Sequence, residues 1–196
     1  MNDKIIGIAG ATGSGKTTLV SQLCDRYNAA PIYEEWEDNP YLVDFYNSKS
    51  FFENQMWFIK NDITRMQRAI DLSSKEQMVV IDKIFLQNYT FISITDFNDN
   101  EKKICFDLLN NYVHLSNHID LVINISIAEE EILRRIKNRN RDIELNLNFE
   151  WFQKFQKFQK NYFQKYQKNY HFKLFEYNNS QMTFEDILQK INNTYL

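Results

Sequence analysis

The chain has 196 residues and a mass of 23.7 kDa, and 23 Lys plus Arg against 26 Asp plus Glu leave a net charge of −3. That is the length of one ordinary domain, with no whole-chain charge to draw it to nucleic acid or an acidic membrane. Two cysteines (Cys24, Cys105), an opening MNDKIIGIAG without a basic-then-apolar leader, and no apolar run of roughly 18–20 residues exclude a disulfide scaffold, a secretory signal and a membrane span, and fit a reduced, cytoplasmic setting.

Residues 4–9, KIIGIA, form a short apolar run and read as a buried strand. A glycine loop follows over 10–15, then apolar residues at Leu19, Val20, Leu23 and Tyr27 predict a helix from Lys16 to about Asn28. Pro31-Ile32-Tyr33 starts a second strand. From Tyr41 to about Ile70 apolar residues recur three and four apart, the pattern of one or two helices. QMVVID (77–82) is a third strand, 84–94 and 101–115 are helical, and IDLVINISI (119–127) is a fourth strand. Residues 128–138 read as a helix with Glu at its start and Arg at its end, as the helix dipole favours, followed by a helix over 149–170, a last strand KLFEY (173–177) and a closing helix over 183–194. Strands alternating with helices predict an α/β fold, a mostly five-stranded parallel sheet in a three-layer α/β/α arrangement, helix-rich and binding ligands beyond the strands' carboxyl ends.

Glycine is the oddest count. The chain has four, Gly7, Gly10, Gly13 and Gly15, all within nine consecutive residues, where average usage gives about 14. Three of them belong to Gly10-Ala11-Thr12-Gly13-Ser14-Gly15-Lys16-Thr17-Thr18, which fits G-x-x-x-x-G-K-[ST] between a strand and an amphipathic helix. In that pattern backbone N–H groups and the helix N-terminus converge on phosphate oxygens, the Lys meets the β- and γ-phosphates, and Thr17 offers a hydroxyl to Mg²⁺. A chance glycine turn does not account for motif, context and confinement together.

After the second strand comes Tyr33-Glu34-Glu35-Trp36-Glu37-Asp38-Asn39-Pro40-Tyr41. Carboxylates beside a phosphate site can accept a hydroxyl proton or organise a metal, or can be a solvated turn. Here the chain resembles the deoxynucleoside kinases, P-loop kinases that move the γ-phosphoryl of ATP to the 5′-hydroxyl of a deoxynucleoside. In that family the second strand ends in a Glu and bacterial members continue to N-P-Y. The resemblance implies that Glu34 is the general base, that Tyr46 contacts the sugar 3′-hydroxyl, and that Gln55 in QMWF pairs with the base edge. At Asp82-Lys83-Ile84 the family reads D/E-R-S. Asp82 keeps the acid, a candidate for Mg²⁺, while Lys83 replaces a planar guanidinium by a point charge. Asn88 and Asp62 fall at base-selecting positions, as a pair that familiar relatives do not carry. Trp36, Trp57, Phe85 and Phe91 are candidates either for stacking on the base or for the core.

Five basic residues, Arg134, Arg135, Lys137, Arg139 and Arg141, lie within eight positions and precede Asp142 and Glu144. The family has an R-x-x-x-R-x-R lid here. The resemblance implies a lid over about 134–148, with Arg135 and Arg139 on ATP, Arg139 and Arg141 on the transferring phosphoryl, and Glu144 at the 3′-hydroxyl. It also implies ATP and Mg²⁺ as cofactors, a homodimer, a small-molecule nucleoside as partner with neither nucleic acid nor membrane, and one domain over residues 1–196, with a lean to a purine deoxynucleoside. The helix FEWFQKFQKFQKNYFQKYQKNY places Phe155, Phe158, Tyr162, Tyr166 and Tyr170 on one face and its lysines mostly off it, which fits a core face with a solvated basic side better than nucleic-acid stacking. Two alternatives stand beside the kinase reading. IIGIAGATGSGKTT and RRIKNRNRD also resemble uridine kinases locally, and Lys83 with the Asp62/Asn88 pair leaves open a non-catalytic nucleotide-binding subunit. His114, His118 and His171 have no ligand spacing.

Overall fold

The computed structural model describes residues 4–47, 49–139 and 149–194. Five strands, β1 (Ile5–Gly10), β2 (Ala30–Ile32), β3 (Val79–Asp82), β4 (Leu121–Ser126) and β5 (Lys173–Asn178), form one sheet. Their order is β2-β3-β1-β4-β5, and every neighbouring pair is parallel. The first two crossovers are α1 (Lys16–Tyr27) and the pair α2 (Leu42–Tyr46) and α3 (Phe51–Ser73). Between β3 and β4 lie α4 (Gln87–Ile94), α5 (Asp99–Tyr112) and a 3₁₀ turn, Val113–His118, and then follow α6 (Glu129–Arg139), α7 (Phe149–Tyr166) and α8 (Phe184–Thr194).

The central strands β1, β3 and β4 are buried on both faces because both faces are covered. Alternation along β1 sends Ile6 and Ile8 towards α1 and α8, where they meet Leu19, Val20, Leu23, Ile187 and Ile191. Ile5 and Ala9 face the other way, with Val79, Ile81 and Val122, into a core filled by Ile59, Met66, Phe85, Ile92, Leu109 and Phe163. Gly7 lies on this second face. A Cβ there would run into the Ile84 side chain, so the bend after β3 can sit directly on β1 only because residue 7 has no side chain.

Sequence and structure differ mostly at element ends. The helix expected from residue 84 begins at Gln87, because residues 84–86 first make a tight turn, with the N–H groups of Gln87, Asn88 and Tyr89 donating to the carbonyls of Ile84, Phe85 and Leu86. The helix expected over 149–170 stops at Tyr166, and the turn after it carries a left-handed His171 (φ 59°) that swings the chain into β5. Of its expected aromatic face Phe155 is buried and Phe158, Tyr162, Tyr166 and Tyr170 are half-buried, with Phe152 and Phe163 buried beside them, while Lys154, Lys157, Lys160, Lys165 and Lys168 are exposed. Among the described residues no helix is long and apolar enough to cross a membrane.

Candidate functional site

The carboxyl ends of β1, β2 and β3 open into a cavity of about 600 Å³. Its phosphate end is made by the turn between β1 and α1. Gly13 and Gly15 hold φ of 76° and 101°, values that L side chains rarely adopt, which explains glycine at both. The Lys16 ammonium donates to the carbonyls of Gly10 and Ala11, at 3.1 Å each. Thr12, Gly13, Lys16, Thr17 and Thr18 line the cavity. Ala11 and Ser14 are buried behind the loop. Two supports of the loop were not foreseen. Gln87, from α4, accepts the Gly10 N–H with its Oε1 at 2.9 Å, and Asn179, beyond β5, donates its Nδ2 to the Ser14 carbonyl at 2.7 Å. Arg135 approaches that carbonyl at 3.5 Å while its Nε donates to Glu131 at 2.7 Å.

Asp82 ends β3 directly across from Thr17, whose hydroxyl donates to Asp82 Oδ2 at 2.6 Å. Asp82 is 3% exposed and its other oxygen, Oδ1, is buried with no hydrogen-bond partner. Burial pushes the Asp82 carboxyl above the usual carboxylate range, against the pull of the nearby Lys16 ammonium and the Thr17 hydroxyl. An orphaned carboxylate oxygen beside a hydroxyl suits a hard cation, so this pair fits Mg²⁺. Among the described residues no cluster of three or more His, Cys, Asp or Glu side chains could hold a metal ion.

The opposite end is built from buried charge. Lys83 follows Asp82 with a left-handed backbone (φ 60°) and 3% exposure. Its ammonium pairs with Glu34 Oε1 at 2.9 Å and with Asp62 Oδ2 at 3.3 Å, and lies over the Phe58 ring at 4.1 Å. Arg65, which the sequence reading passed over, organises this corner from α3. It is 4% exposed, binds Asp62, and donates to the backbone carbonyls of Asp82 at 2.5 Å and Lys83 at 3.0 Å. A left-handed lysine persists only where its surroundings over-determine it, and the guanidinium grips the two peptide groups that flank the bend. The missed signal was spacing: Arg65 stands three residues after Asp62 on α3, the separation of paired side chains.

Of the other expected substrate residues, Trp36, Tyr46, Gln55, Lys83 and Phe91 line the cavity with Glu34. Asp62 and Asn88 do not. They are fully buried behind Gln55, and Asn88 accepts the Gln55 amide. Phe85 is in the core and Trp57 is not in the lining, whereas Phe45, Phe58 and Trp151 are. The loop bearing Trp36 is anchored to α3 by Asn39, which donates to Asn54 Oδ1 at 2.8 Å. Arg139 closes α6 by its backbone. Arg141 and Glu144 lie outside the described residues, as does most of the expected lid.

A glycine cradle at one end and a carboxylate–ammonium pair at the other define a P-loop phosphotransfer architecture. The deoxynucleoside kinase profile matches residues 6–195, and the chain belongs to the deoxynucleoside kinase family. It is 30% identical over 153 residues to the deoxyadenosine kinase of Dictyostelium discoideum, a match covering 76% of this chain and 62% of that protein. The deoxyguanosine kinase of Bacillus subtilis is 29% identical, with 76% and 72% covered. The chain thus spans about three-fifths to three-quarters of the length of these relatives. The fold superposes on a solved structure of deoxyadenosine kinase from M. mycoides with a TM-score of 0.82 at 23% identity, over 96% of this chain and 99% of that one.

Proposed function

We propose that this protein phosphorylates the 5′-hydroxyl of a deoxynucleoside with ATP and Mg²⁺, giving the deoxynucleoside monophosphate. The observation that carries the reading is the Glu34–Lys83 pair, 2.9 Å apart, in the same cavity as Lys16 and Thr17. Glu34 lies in the loop just after β2, within a chamber lined by Gln55, Tyr46 and aromatic rings, of a size suited to a nucleoside. The curated relatives are named for deoxyadenosine and deoxyguanosine, which agrees with a purine deoxynucleoside as substrate.

In the proposed reaction the substrate 5′-hydroxyl gives its proton to the Glu34 carboxylate as its oxygen bonds to the γ-phosphorus. The bond from that phosphorus to the β–γ bridging oxygen breaks, and ADP leaves with the electron pair. Lys16 follows the β- and γ-phosphates and exchanges its loop carbonyls for phosphate oxygens. Lys83 holds Glu34 in place and faces the developing charge. Thr17 and Asp82 would hold Mg²⁺, which supplies charge neutralisation to the phosphates when bound. Arg135, Arg139 and Arg141 act from a lid over about 134–148, and Glu144 and Tyr46 bind the sugar 3′-hydroxyl. The protein works as one domain over residues 1–196, as a cytoplasmic homodimer.

A panel of deoxyadenosine, deoxyguanosine, deoxycytidine, thymidine and uridine with ATP and Mg²⁺ tests the reading. Turnover of deoxynucleosides is the expected result. Turnover of uridine alone would move the protein to the uridine-kinase type. Tight ATP binding with no transfer above Glu34→Gln would make it a nucleotide-binding subunit.

A further inference from the structure

A primary amide carries its acceptor and its donor on opposite sides, so fastening one side aims the other. Gln87 is the first residue of α4, lines the cavity and is only 1% exposed. Its Oε1 accepts the Gly10 N–H at 2.9 Å, and its own backbone N–H donates to the Ile84 carbonyl at 3.0 Å. A peptide N–H only donates, so the amide oxygen must face Gly10 and the amide nitrogen must face away from it. Among the described residues that nitrogen, Nε2, has no hydrogen-bond partner, yet it is not sealed off as Asp82 Oδ1 is. A buried amide with one end fastened and its NH₂ left at a cavity is incomplete until a ligand accepts from it.

The neighbours of Gln87 say what that ligand group is. Gly10 opens the phosphate loop, and the Lys16 ammonium holds the same residue by its carbonyl at 3.1 Å. On the other side, Gln87 comes one turn after the Asp82–Lys83 bend, which the Ile84 N–H ties to the Ile8 carbonyl of β1 at 3.2 Å. Lys83 in turn holds Glu34. The amide thus links the start of the loop that receives the triphosphate to the bend that receives the hydroxyl, and the group that crosses from one to the other is the γ-phosphoryl. Its non-bridging oxygens only accept. Lys16 and Lys83 meet them as point charges, whereas Gln87 offers a donor of fixed direction.

We propose that Gln87 is a catalytic residue whose Nε2 donates to a non-bridging oxygen of the γ-phosphoryl group during transfer. The proposal rests on the kinase reading given above and leaves its bonds unchanged: the substrate oxygen bonds to phosphorus, the bond to the β–γ bridging oxygen breaks, and the amide neither gains nor loses a proton. Charge spreads over the equatorial oxygens as the group passes, and a donor whose other end is tied to the backbone of the loop needs no reorganisation to meet it. The same contact makes Gln87 a reader of the third phosphate, since ADP has no group to offer it.

The test measures calorimetric binding of ADP and of β,γ-methylene-ATP, each with Mg²⁺, and kcat with deoxyadenosine and deoxyguanosine, for wild type, Gln87→Met and Gln87→Glu. Gln87→Met loses both ends of the amide. A loosened loop weakens both nucleotides by a common factor, and loss of the γ contact lowers the triphosphate-to-diphosphate affinity ratio by a further factor of about 10 or more, with kcat down about 10²-fold. Gln87→Glu still accepts the Gly10 N–H, so ADP binding stays near wild type while the ratio and kcat fall. A folded Gln87→Met that weakens both nucleotides equally overturns the proposal and leaves Gln87 a support of the loop. If Gln87→Met gives no cooperative melt, Gln87→Glu decides, and a ratio that is unchanged, or that high salt restores as it would relieve charge repulsion, overturns the proposal. A wild type that turns over no deoxynucleoside, with a ratio that still falls in Gln87→Met, would overturn the kinase reading and uphold the γ-phosphate contact, and turnover with an unchanged ratio would do the reverse.

Discussion

The two ends of the cavity are built on different principles. The phosphate end is a contiguous loop in which backbone geometry does the binding, and its left-handed glycines and helix N-terminus lie within eight residues of one another. The acceptor end gathers Glu34 from the loop after β2, Asp62 and Arg65 from α3, and Asp82 and Lys83 from the end of β3, through side-chain ion pairs and through Arg65 on the Asp82 and Lys83 carbonyls. A backbone cradle tolerates change around it so long as φ is respected. A buried charge network stands or falls with each member, since removing one partner leaves another charge desolvated and unpaired.

Four experiments can break or sharpen that contrast. The largest effect is expected from Glu34→Gln, which removes the proton acceptor without changing its shape, and kcat should fall by about 10²–10⁴-fold with the fold intact by circular dichroism. A fall of less than tenfold would assign the base elsewhere. Arg65→Met comes next, in stability rather than chemistry. It strips Asp62 of one of its cations and leaves the Asp82 and Lys83 carbonyls short of a donor, a loss of about 3–5 kcal/mol in urea unfolding. If instead the variant is as stable as wild type, the corner is not the charge-dependent unit described here.

At the phosphate end, Gly15→Ala puts a Cβ at φ 101° and 2.7 Å from Asn179 Nδ2. The strain should raise the KM for ATP about 10-fold, worth about 1–2 kcal/mol, with the KM for the nucleoside little moved. Equal damage to both constants would show that the ends are coupled through the loop. The smallest effect is that of Asp82→Asn in the absence of metal. The Asp82 carboxyl lies above its ordinary range, so the folded protein holds that proton more tightly than the unfolded chain does. Stability therefore falls as pH rises from the ordinary value through the folded one, and the cost is fully present above it. Asn removes that cost, and Tm in the absence of metal should rise by about 2–4 °C per 1 kcal/mol recovered. Asp62 has the opposite sign: its contribution is complete above the ordinary carboxylate range and drains away as pH falls towards the lowered value. Denaturation titrated across both windows should show Asp82→Asn losing the fall in stability above the ordinary carboxylate value and Asp62→Asn losing the fall below it.

The sheet was legible in the chain because its strands are short apolar runs set between turn residues, and burial on both faces demands that composition. Boundaries such as Gln87 and Tyr166 were less so, since they depend on a tight turn at Ile84 and a left-handed His171 that periodicity does not encode. In the site, Glu34, Gln55 and Lys83 came from the family resemblance, and the structure sets all three in the cavity lining. Arg65 could not be placed, because an arginine in an amphipathic helix reads as surface until the helix is seen to turn it towards the end of β3. Phe58 was missed for a related reason: its neighbour Trp57 is the bulkier ring, but the phase of α3 turns residue 58 into the cavity.

The glycine loop and the order of strands and helices are local properties, written in conformational freedom and apolar periodicity, and the chain alone carries them. The roles of Asp62 and Asn88 are of another kind. As residue types they suit direct contact with a base, yet packing of α3 against α4 buries them one layer back, where Asn88 accepts from Gln55 and donates to Asp62. Which polar group meets solvent, which meets ligand and which meets only another buried group depends on contacts between residues 26 and 33 positions apart, and those exist only once the tertiary structure has formed.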